Sequence, residues 1–307
     1  MKQLRWLRAA LLRFFAEPVD GTSAAFLRGS LGALAIWEAL GVWLNLERFW
    51  GPQGMVPYAL IANDRFFWMT ALAWAPESTL WLEFIATLFT ISAVAFFFGF
   101  RARFFGLLLA FLHCSFQFRN PFILNSGDRL FMIQLVLSAF APLSLRFSVD
   151  AWLARRRGIT LPSATIWGQR LVGLQIAYVY LNSAMAKITN VRWQNGMAMR
   201  DVLSSPVFAE WPTYVDSRPL VMFLTYSALV YEFLFPFAVW WRKARPWMLA
   251  WGFVFHLSID ITMVIPIFSA IMIASLPAFL RDEEVKRLFA RLGFKARSER
   301  PDLRRDS

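Results

Sequence analysis

Residues 79–119 read TLWLEFIATLFTISAVAFFFGFRARFFGLLLAFLHCSFQFR, and this stretch decides the class of fold. It contains two apolar segments, at about 79–98 and 104–118, which only the short turn GFRAR at 99–103 separates. About 20 consecutive apolar residues cross the hydrocarbon core of a bilayer as an α-helix. The stretch therefore predicts two membrane-spanning helices joined by a tight basic turn.

The same pattern recurs along the chain and predicts an all-α bundle of about eight spans. The other six lie at about 23–45, 129–145, 167–189, 220–241, 247–265 and 268–280. Of the 307 residues, 58% are hydrophobic and 17% are charged, whereas soluble domains are nearer 45–50% and about 25%. This composition indicates a polytopic membrane protein.

The two ends of the chain differ from its apolar middle. Residues 1–18 alternate basic residues with Leu, Trp and Phe, which predicts an amphipathic helix lying on the membrane surface. Residues 19–280 form the predicted transmembrane domain, and residues 281–307 form a basic cytoplasmic tail. A cleavable signal is not expected, because residues 1–15 contain no compact apolar region followed by small residues.

The net charge of +12 is distributed in a way that predicts orientation rather than nucleic-acid binding. With eight spans and both termini in the cytoplasm, 22 of the 32 Lys and Arg residues fall in cytoplasmic segments and 7 in outer segments. Positive charge concentrates on the cytoplasmic side of membrane proteins. We therefore expect both termini in the cytoplasm. We also expect a bacterial-type inner membrane, the lipid bilayer as a partner and no nucleic acid.

Two long aromatic segments, at 47–77 and 190–219, are predicted to fold together over the outer face of the bundle. Loops of this length are usually functional or disordered. Tryptophan is enriched at membrane–water boundaries. The tryptophans expected at the boundary are Trp50, Trp68, Trp74, Trp193 and Trp211.

Ionisable residues inside the spans cost at least about 2.5–3.5 kcal/mol at the bilayer centre, so each needs a reason. They are Arg28, Glu38, Glu83, His113, Lys187, Glu232, His256 and Asp260. Arg28 is expected to pair with a carboxylate or with loop carbonyls. Glu83 and Glu232 are interpreted as neutral carboxyl groups that bridge helices.

His256 and Asp260 are four residues apart, so they face one side of their predicted helix. One interpretation is a proton relay or a general base whose imidazole is oriented by the carboxylate. The other is a hydrogen bond that holds two helices together. A metal site is not expected, because the two histidines lie in different spans and the chain has one cysteine.

Lys187 lies near the outer end of the fifth span, among small residues in YLNSAMAKITNVRWQNGMAM at 180–199. A desolvated lysine loses its proton more readily and acts as a base or nucleophile. The alternative is a lysine whose ammonium extends to the headgroups. In a pocket, Lys187 is expected to meet at least one of Asp128, Asp260 and Glu83.

Five segments together resemble one known family. They are the first span around Arg28, FWGPQGMVP at 49–57, LNSGDRLF at 124–131, AKITNVRWQNGMAM at 186–199 and HLSIDITMVIPIFSAIMIASLPAF at 256–279. They resemble the horizontally transferred transmembrane (HTTM) domain, which is the membrane portion shared with vitamin K-dependent γ-carboxylases. The resemblance covers about residues 14–280, and its most specific part is 184–196.

The resemblance implies roles for particular residues. In the animal carboxylase the lysine of this pattern is the base that starts the chemistry on reduced vitamin K, which places the role on Lys187, with one extra residue before Trp193. NSGD at 125–128 stands where the animal enzyme has a histidine, so Asp128 is a candidate acid or base. Nothing in the chain resembles the large luminal portion that holds the carboxylase's peptide substrate.

Two hypotheses for the function follow. The first is a quinone-linked enzyme with Lys187 as base and Asp128, His256 and Asp260 assisting, in which oxygenation of a deprotonated hydroquinone drives modification of a partner such as a peptide. The second is a non-catalytic membrane subunit or maturation partner that packs against another membrane protein through its outer loops. Transport is disfavoured, because no inverted pair of short spans is visible.

Overall fold

The computed structural model describes residues 2–64, 66–265 and 267–293, with the side chains of residues 2–4 and 7 left out. The described part is mostly helical, which confirms the all-α class. The later part of the predicted basic tail, residues 294–307, lies outside the described residues.

The helices follow one another with short connections. They are α1 Lys2–Phe15, α2 Thr22–Leu44, α3 Leu46–Trp50, α4 Tyr58–Ile61, α5 Thr79–Phe98, α6 Ala102–Arg119, α7 Ser126–Ser138, α8 Val149–Arg156, α9 Trp167–Ile188, α10 Val191–Gln194, α11 Ala198–Ser204, α12 Arg218–Ala238, α13 Arg245–Thr262, α14 Phe268–Ser275 and α15 Asp282–Arg291. Short 3₁₀ helices occupy Phe67–Met69, Ala71–Trp74 and Leu276–Phe279. Two strands, β1 Pro18–Val19 and β2 Ala164–Thr165, pair antiparallel.

Each of the eight predicted spans contains a helix, but the helices differ in their ability to cross a bilayer. Among the described residues, α2, α5 and α12 are long and apolar enough to do so. Helix α7 has 13 residues and α14 has 8 before its 3₁₀ extension, which is short of the roughly 20 that a span needs. Membrane integration is therefore supported, while the number of eight spans stays a prediction.

Local sequence signals explain where α5 and α7 begin and end. Helix α5 starts where the Ser78 hydroxyl accepts a hydrogen bond from the Trp81 amide, and it ends at Gly99 with φ +69°. A Cβ at Gly99 would lie 2.3 Å from Arg28 Nη1, so glycine is required there. Helix α7 starts three residues before its predicted position, because Asn125 and Asp128 form a capping box.

Helix α14 lies in the middle of the bundle. It packs against α2, α7, α9 and α13, and its Ile271 and Met272 side chains are fully buried. Around it, α2 packs on α5, α5 on α6, α6 on α7, α7 on α9 and α9 on α12. This order brings the last turn of α9, the middle of α12 and the second half of α13 around one space.

Both long aromatic segments are folded against the bundle. The first is tied to α6, because Arg119 donates hydrogen bonds of 2.9 Å to the carbonyls of Val56 and Gly51. In the second, α10 and α11 pack on α9 and α12. Their folding together as one cover stays a prediction.

The tryptophans of these segments differ in exposure. Trp68, Trp74 and Trp211 are exposed and Trp193 is half-buried, and their position at the membrane boundary stays a prediction. Trp50, which was expected there too, is buried, and its Nε1 donates to the Phe116 carbonyl at 2.8 Å. The expectation for Trp50 was wrong, because its indole anchors the loop instead of facing lipid.

Candidate functional site

Lys187 in the last turn of α9 is turned toward the bundle. Its ammonium pairs with the Glu232 carboxylate of α12 and donates a 3.0 Å hydrogen bond to Ser183 Oγ. It also lies 4.8 Å from the ring centre of Trp193 in α10, a favourable position for a cation. The Lys187 side chain is 23% exposed and that of Glu232 only 6%, so the pair is largely shielded.

The carboxylate beside Lys187 was not among those predicted. Glu83 and Asp260 are exposed, and Asp128 belongs to a separate cluster between α6 and α7. The prediction that one of these three shares the pocket was wrong, because the rotation of α12 brings Glu232 to the position instead. Glu232 does bridge two helices, as predicted, but it does so as the partner of a cation.

His256 lies on the wall of the same space and is oriented by two tyrosines. Its Nε2 is 2.7 Å from the Tyr180 hydroxyl, which accepts a hydrogen bond from the Tyr231 hydroxyl at 3.1 Å. In the tautomer whose Nε2 accepts a hydrogen bond from Tyr180, the neutral imidazole carries its proton on Nδ1. The interpretation that Asp260 orients His256 was therefore wrong, because Tyr180 occupies that role.

These side chains surround a cavity of about 280 Å³ between α9, α12 and α13. The polar residues of its wall are Lys187, Glu232, His256, Tyr180, Ser183, Ser227, Ser258 and Thr262. The rest of the wall is mainly apolar, with Val179, Met199, Val202, Leu224, Ala228, Phe255, Ile259, Met263, Ile265, Phe268 and Met272. A mainly apolar cavity with a few converging polar groups is typical of a small-molecule site.

Two buried polar atoms of this wall have no hydrogen-bond partner among the described residues. They are Glu232 Oε2 and His256 Nδ1. Buried polar atoms are nearly always hydrogen-bonded in folded proteins. One atom is an acceptor and the other, in the tautomer above, a donor. The pair suits a ligand that offers both a hydroxyl group and an oxygen acceptor.

Asp128 lies elsewhere and its oxygens are engaged. Oδ2 accepts from the Asn125 amide at 2.9 Å, and Oδ1 accepts from Gln117 Nε2 at 3.0 Å. His113 Nε2 is 3.8 Å from Oδ1. The structure thus places Asp128 at the start of α7, with a capping role, and does not bring it to Lys187.

Asp260 also lies away from the cavity. It is exposed and lines a separate groove with Leu34, Phe253 and Ala270. Of the four predicted site residues, the structure therefore brings together Lys187 and His256 and leaves Asp128 and Asp260 apart. Among the described residues, no group of three or more His, Cys, Asp or Glu side chains is arranged to hold a metal ion.

Sequence reasoning missed Ser183, Tyr180 and Tyr231. The first two carry a usable signal, since Ser183 and Tyr180 precede Lys187 by four and seven residues and so share its face of α9. Tyr231 and Glu232 lie on another helix, and their register against α9 depends on packing.

The fold and the cavity define a helical membrane protein with a site near one end of its bundle. A model of the HTTM domain matches residues 16–283, most of the chain. The chain therefore belongs to the HTTM domain family, and it is a membrane protein related to the membrane domain of the carboxylases. No curated protein and no solved structure matches it.

Proposed function

We propose that the protein is a quinone-linked membrane enzyme whose cavity between α9, α12 and α13 binds a hydroquinone of the reduced vitamin K type. The observation that carries this proposal is the meeting of Lys187, Glu232 and His256, from three helices, on one apolar cavity. The unpaired Glu232 Oε2 and His256 Nδ1 support it, because they are complementary to a ring bearing a hydroxyl and a second oxygen.

The size and walls of the cavity fit a ring rather than a whole lipid-like molecule. Its volume of about 280 Å³ is slightly below that of most ligand pockets, which are roughly 300–1,000 Å³. Phe255 and Phe268 lie on its wall and offer aromatic surface to a ring. An apolar tail attached to the ring would remain in the surrounding lipid.

The ion pair assigns different roles to Lys187 and Glu232. A hydroquinone would supply, when bound, a phenolic proton whose removal begins its chemistry. The Glu232 carboxylate pairs with Lys187, and its second oxygen, Oε2, has no hydrogen-bond partner among the described residues, so Oε2 is the open acceptor for that proton. The Lys187 ammonium then stabilises negative charge on the ligand oxygen, in a shielded site where such charges act strongly. His256 positions the second oxygen through Nδ1.

Binding of reduced vitamin K to the purified protein in mild detergent tests this function. Lys187→Met and Glu232→Gln are each expected to weaken binding about tenfold or more, since each removes a charged interaction worth about 1.5–3 kcal/mol. Lys243→Met, which removes an exposed loop lysine outside the cavity, is the matched control and should bind as the parent does. Equal binding by all three variants would refute the proposal.

A second candidate is a non-catalytic membrane subunit that packs against another membrane protein. The ion pair between Lys187 and Glu232 favours it, because such a pair also ties α9 to α12. In that case Lys187→Met should lower the thermal midpoint without any ligand effect. The outer helices α10 and α11 would then serve as the surface for a partner protein or peptide.

We also propose eight spans with both termini in the cytoplasm of a bacterial-type inner membrane. The unequal distribution of basic residues between the two sets of loops supports this orientation. A Ser298→Cys substitution in a Cys114→Ala background tests it with a thiol reagent that does not cross membranes. Labelling in intact cells would contradict cytoplasmic termini.

A further inference from the structure

A second pocket, of about 340 Å³, lies at the opposite end of α9 from Lys187. Arg170, in the first turn of α9, is 17 residues from Lys187, which corresponds to about 25 Å along a helix. The pocket is formed between α1, α9, the end of α12 and the start of α15. Its lining consists of Trp6, Ala9, Ala10, Arg13, Phe14, Glu17, Arg170, Trp240 and Arg281.

Positive charge in this pocket exceeds negative charge by two. Arg13, Arg170 and Arg281 face a single acid, Glu17. The neighbouring Glu284 is engaged elsewhere, because both of its carboxylate oxygens accept hydrogen bonds from Arg245 Nη1, at 2.9 and 2.8 Å. The excess charge is therefore not balanced by that second carboxylate.

Arg170 is the most unusual member of the group. Its side chain is only 4% exposed, and its Nε is buried without a hydrogen-bond partner among the described residues. Its Nη2 is 3.6 Å from Glu17 Oε2, which is longer than a hydrogen bond. The guanidinium lies over the rings of Phe14 and Trp240, at 4.8 and 5.3 Å. Burial of a guanidinium without a close carboxylate is unfavourable, so we expect a further anion to bind Arg170.

Arg281 also lies at long distance from the Glu17 carboxylate, but it approaches the other carboxylate oxygen. Its Nε is also buried without a partner in the described part of the chain, and its Nη1 is 3.7 Å from Glu17 Oε1. One carboxylate is thus shared at long distance by two guanidinium groups. Planar guanidinium groups are well suited to hydrogen-bond the oxygens of a phosphate.

We propose that this pocket binds the phosphate of an anionic phospholipid. The apolar part of the wall favours a lipid over free phosphate as the ligand. Trp6, Ala10 and Trp240 continue the pocket, and Trp6 is 72% exposed on a helix whose Leu11 and Leu12 are exposed too. Acyl chains would pack against this apolar surface, whereas a free phosphate ion would make no contact with it. Basic pockets between membrane helices on the cytoplasmic side are suited to anionic headgroups.

Lipid binding to the purified full-length protein tests the proposal by native mass spectrometry and by thermal melting in mild detergent. The probes are phosphatidylglycerol, phosphatidylcholine and inorganic phosphate. Phosphatidylglycerol is expected to bind and to raise the thermal midpoint, and the other two are expected to do neither. Binding of phosphatidylcholine as strong as that of phosphatidylglycerol, or an equal shift with inorganic phosphate, would overturn the assignment.

Variants locate the binding. Arg281→Gln is expected to weaken phosphatidylglycerol binding about tenfold, which corresponds to the loss of one charged hydrogen bond. Arg291→Gln removes the same charge from an exposed position at the end of α15, the helix that begins directly after Arg281, and should have no effect. Arg170→Gln should weaken binding as Arg281→Gln does. Because Arg170 is buried, its replacement also endangers folding, so the test of the proposal rests on Arg281→Gln. Unchanged binding in Arg281→Gln would overturn the proposal.

Discussion

Arg28 and Lys187 are both shielded cations, yet their surroundings differ. Arg28 is 3% exposed and donates hydrogen bonds to three carbonyls, those of Phe97 at 3.2 Å, Leu143 at 2.5 Å and Phe147 at 2.6 Å. Lys187 has a carboxylate, a hydroxyl and an aromatic ring around it, but the carboxylate keeps one oxygen unpaired. Arg28 was expected to pair with a carboxylate or with loop carbonyls, and the second alternative holds for Leu143 and Phe147, whereas the Phe97 carbonyl belongs to α5.

The same contrast holds for the neighbours of the two cations. At the start of α2, the helix that carries Arg28, the Asp282 carboxylate accepts from the Asp20 amide at 2.8 Å and from the Ser23 amide and hydroxyl at 2.7 and 2.8 Å. Near Lys187, His256 Nδ1 has no partner among the described residues. A fully satisfied polar network makes the structure rigid, whereas an incomplete one leaves groups for a ligand. The Arg28 region is therefore structural, and the Lys187 cavity is the candidate site.

The largest expected effect is the loss of stability in Arg28→Met. Hydrogen bonds to charged groups contribute about 1.5–3 kcal/mol each, so removing three should cost about 3 kcal/mol or more in the free energy of unfolding. Arg28→Lys should not restore it, because an ammonium lacks the planar set of donors. Unfolding in denaturing detergent measures the change, with the exposed Arg103→Met as control. A small loss in the free energy of unfolding would contradict the assignment of a structural role to Arg28 as opposed to Lys187.

A smaller change in stability is expected in Lys187→Met. The variant leaves the Glu232 carboxylate shielded and uncompensated, and partial exposure of Lys187 reduces the cost to about 1–3 kcal/mol. Lys187→Met combined with Glu232→Gln should recover most of the stability while binding of reduced vitamin K stays impaired. A double variant no more stable than Lys187→Met would show that the carboxylate is not the cause.

An effect of about 1 kcal/mol is expected at Asp20, which is outside the membrane-spanning helices. Burial acts to raise the pKa of the Asp20 carboxyl, but hydrogen bonds from Lys286 and Thr22 outweigh it and hold the pKa below its ordinary value. Such a group stabilises the fold above the unfolded pKa, about 3.9, and loses this contribution as pH falls through the folded value. Asp20→Asn should therefore cost about 1 kcal/mol at neutral pH.

Thermal melts of Asp20→Asn and the parent across pH check this sign. The difference between them should shrink as pH falls below about 4, where Asp20 of the unfolded parent begins to be protonated, and it should vanish below the lowered pKa of the folded state. The same hydrogen bond raises the pKa of Lys286, so the contribution is also lost once pH rises through the raised Lys286 value. A difference that grows toward acid pH would contradict the assignment.

The smallest effect is expected at the pair of Arg192 and Asp201. The two side chains are 46% and 50% exposed, and the hydrogen bond from Arg192 lowers the pKa of Asp201. Exposed ion pairs contribute little to stability. Asp201→Asn should leave the thermal midpoint and ligand binding unchanged. A clear loss of ligand binding would extend the site to α11.

Helix positions were predictable where apolar runs end in strong local signals. The prediction of residues 79–98 coincides with α5, which Ser78 and Gly99 delimit. The fourth span was predicted at about 129–145, but α7 is Ser126–Ser138. Its start is set by side-chain capping at Asn125, and Pro142 follows soon after its end. Hydropathy alone does not register either signal.

The site was predictable only along one helix at a time. Lys187 stood out because a cation in an apolar segment needs a reason. Its partner Glu232 is 45 residues away, and nothing in the sequence gives the rotation of α12 against α9. His256 was found for the same reason as Lys187, but its neighbour Tyr180 is an ordinary residue in a membrane helix. Contacts between helices therefore required the structure.

A density map of the protein purified in mild detergent with reduced vitamin K tests the central claim most directly. The account predicts density for a ring between Lys187 and His256, within hydrogen-bond distance of Glu232 Oε2 and His256 Nδ1. The contradictory result is a map in which side chains or water fill the cavity and the quinone lies elsewhere or is absent.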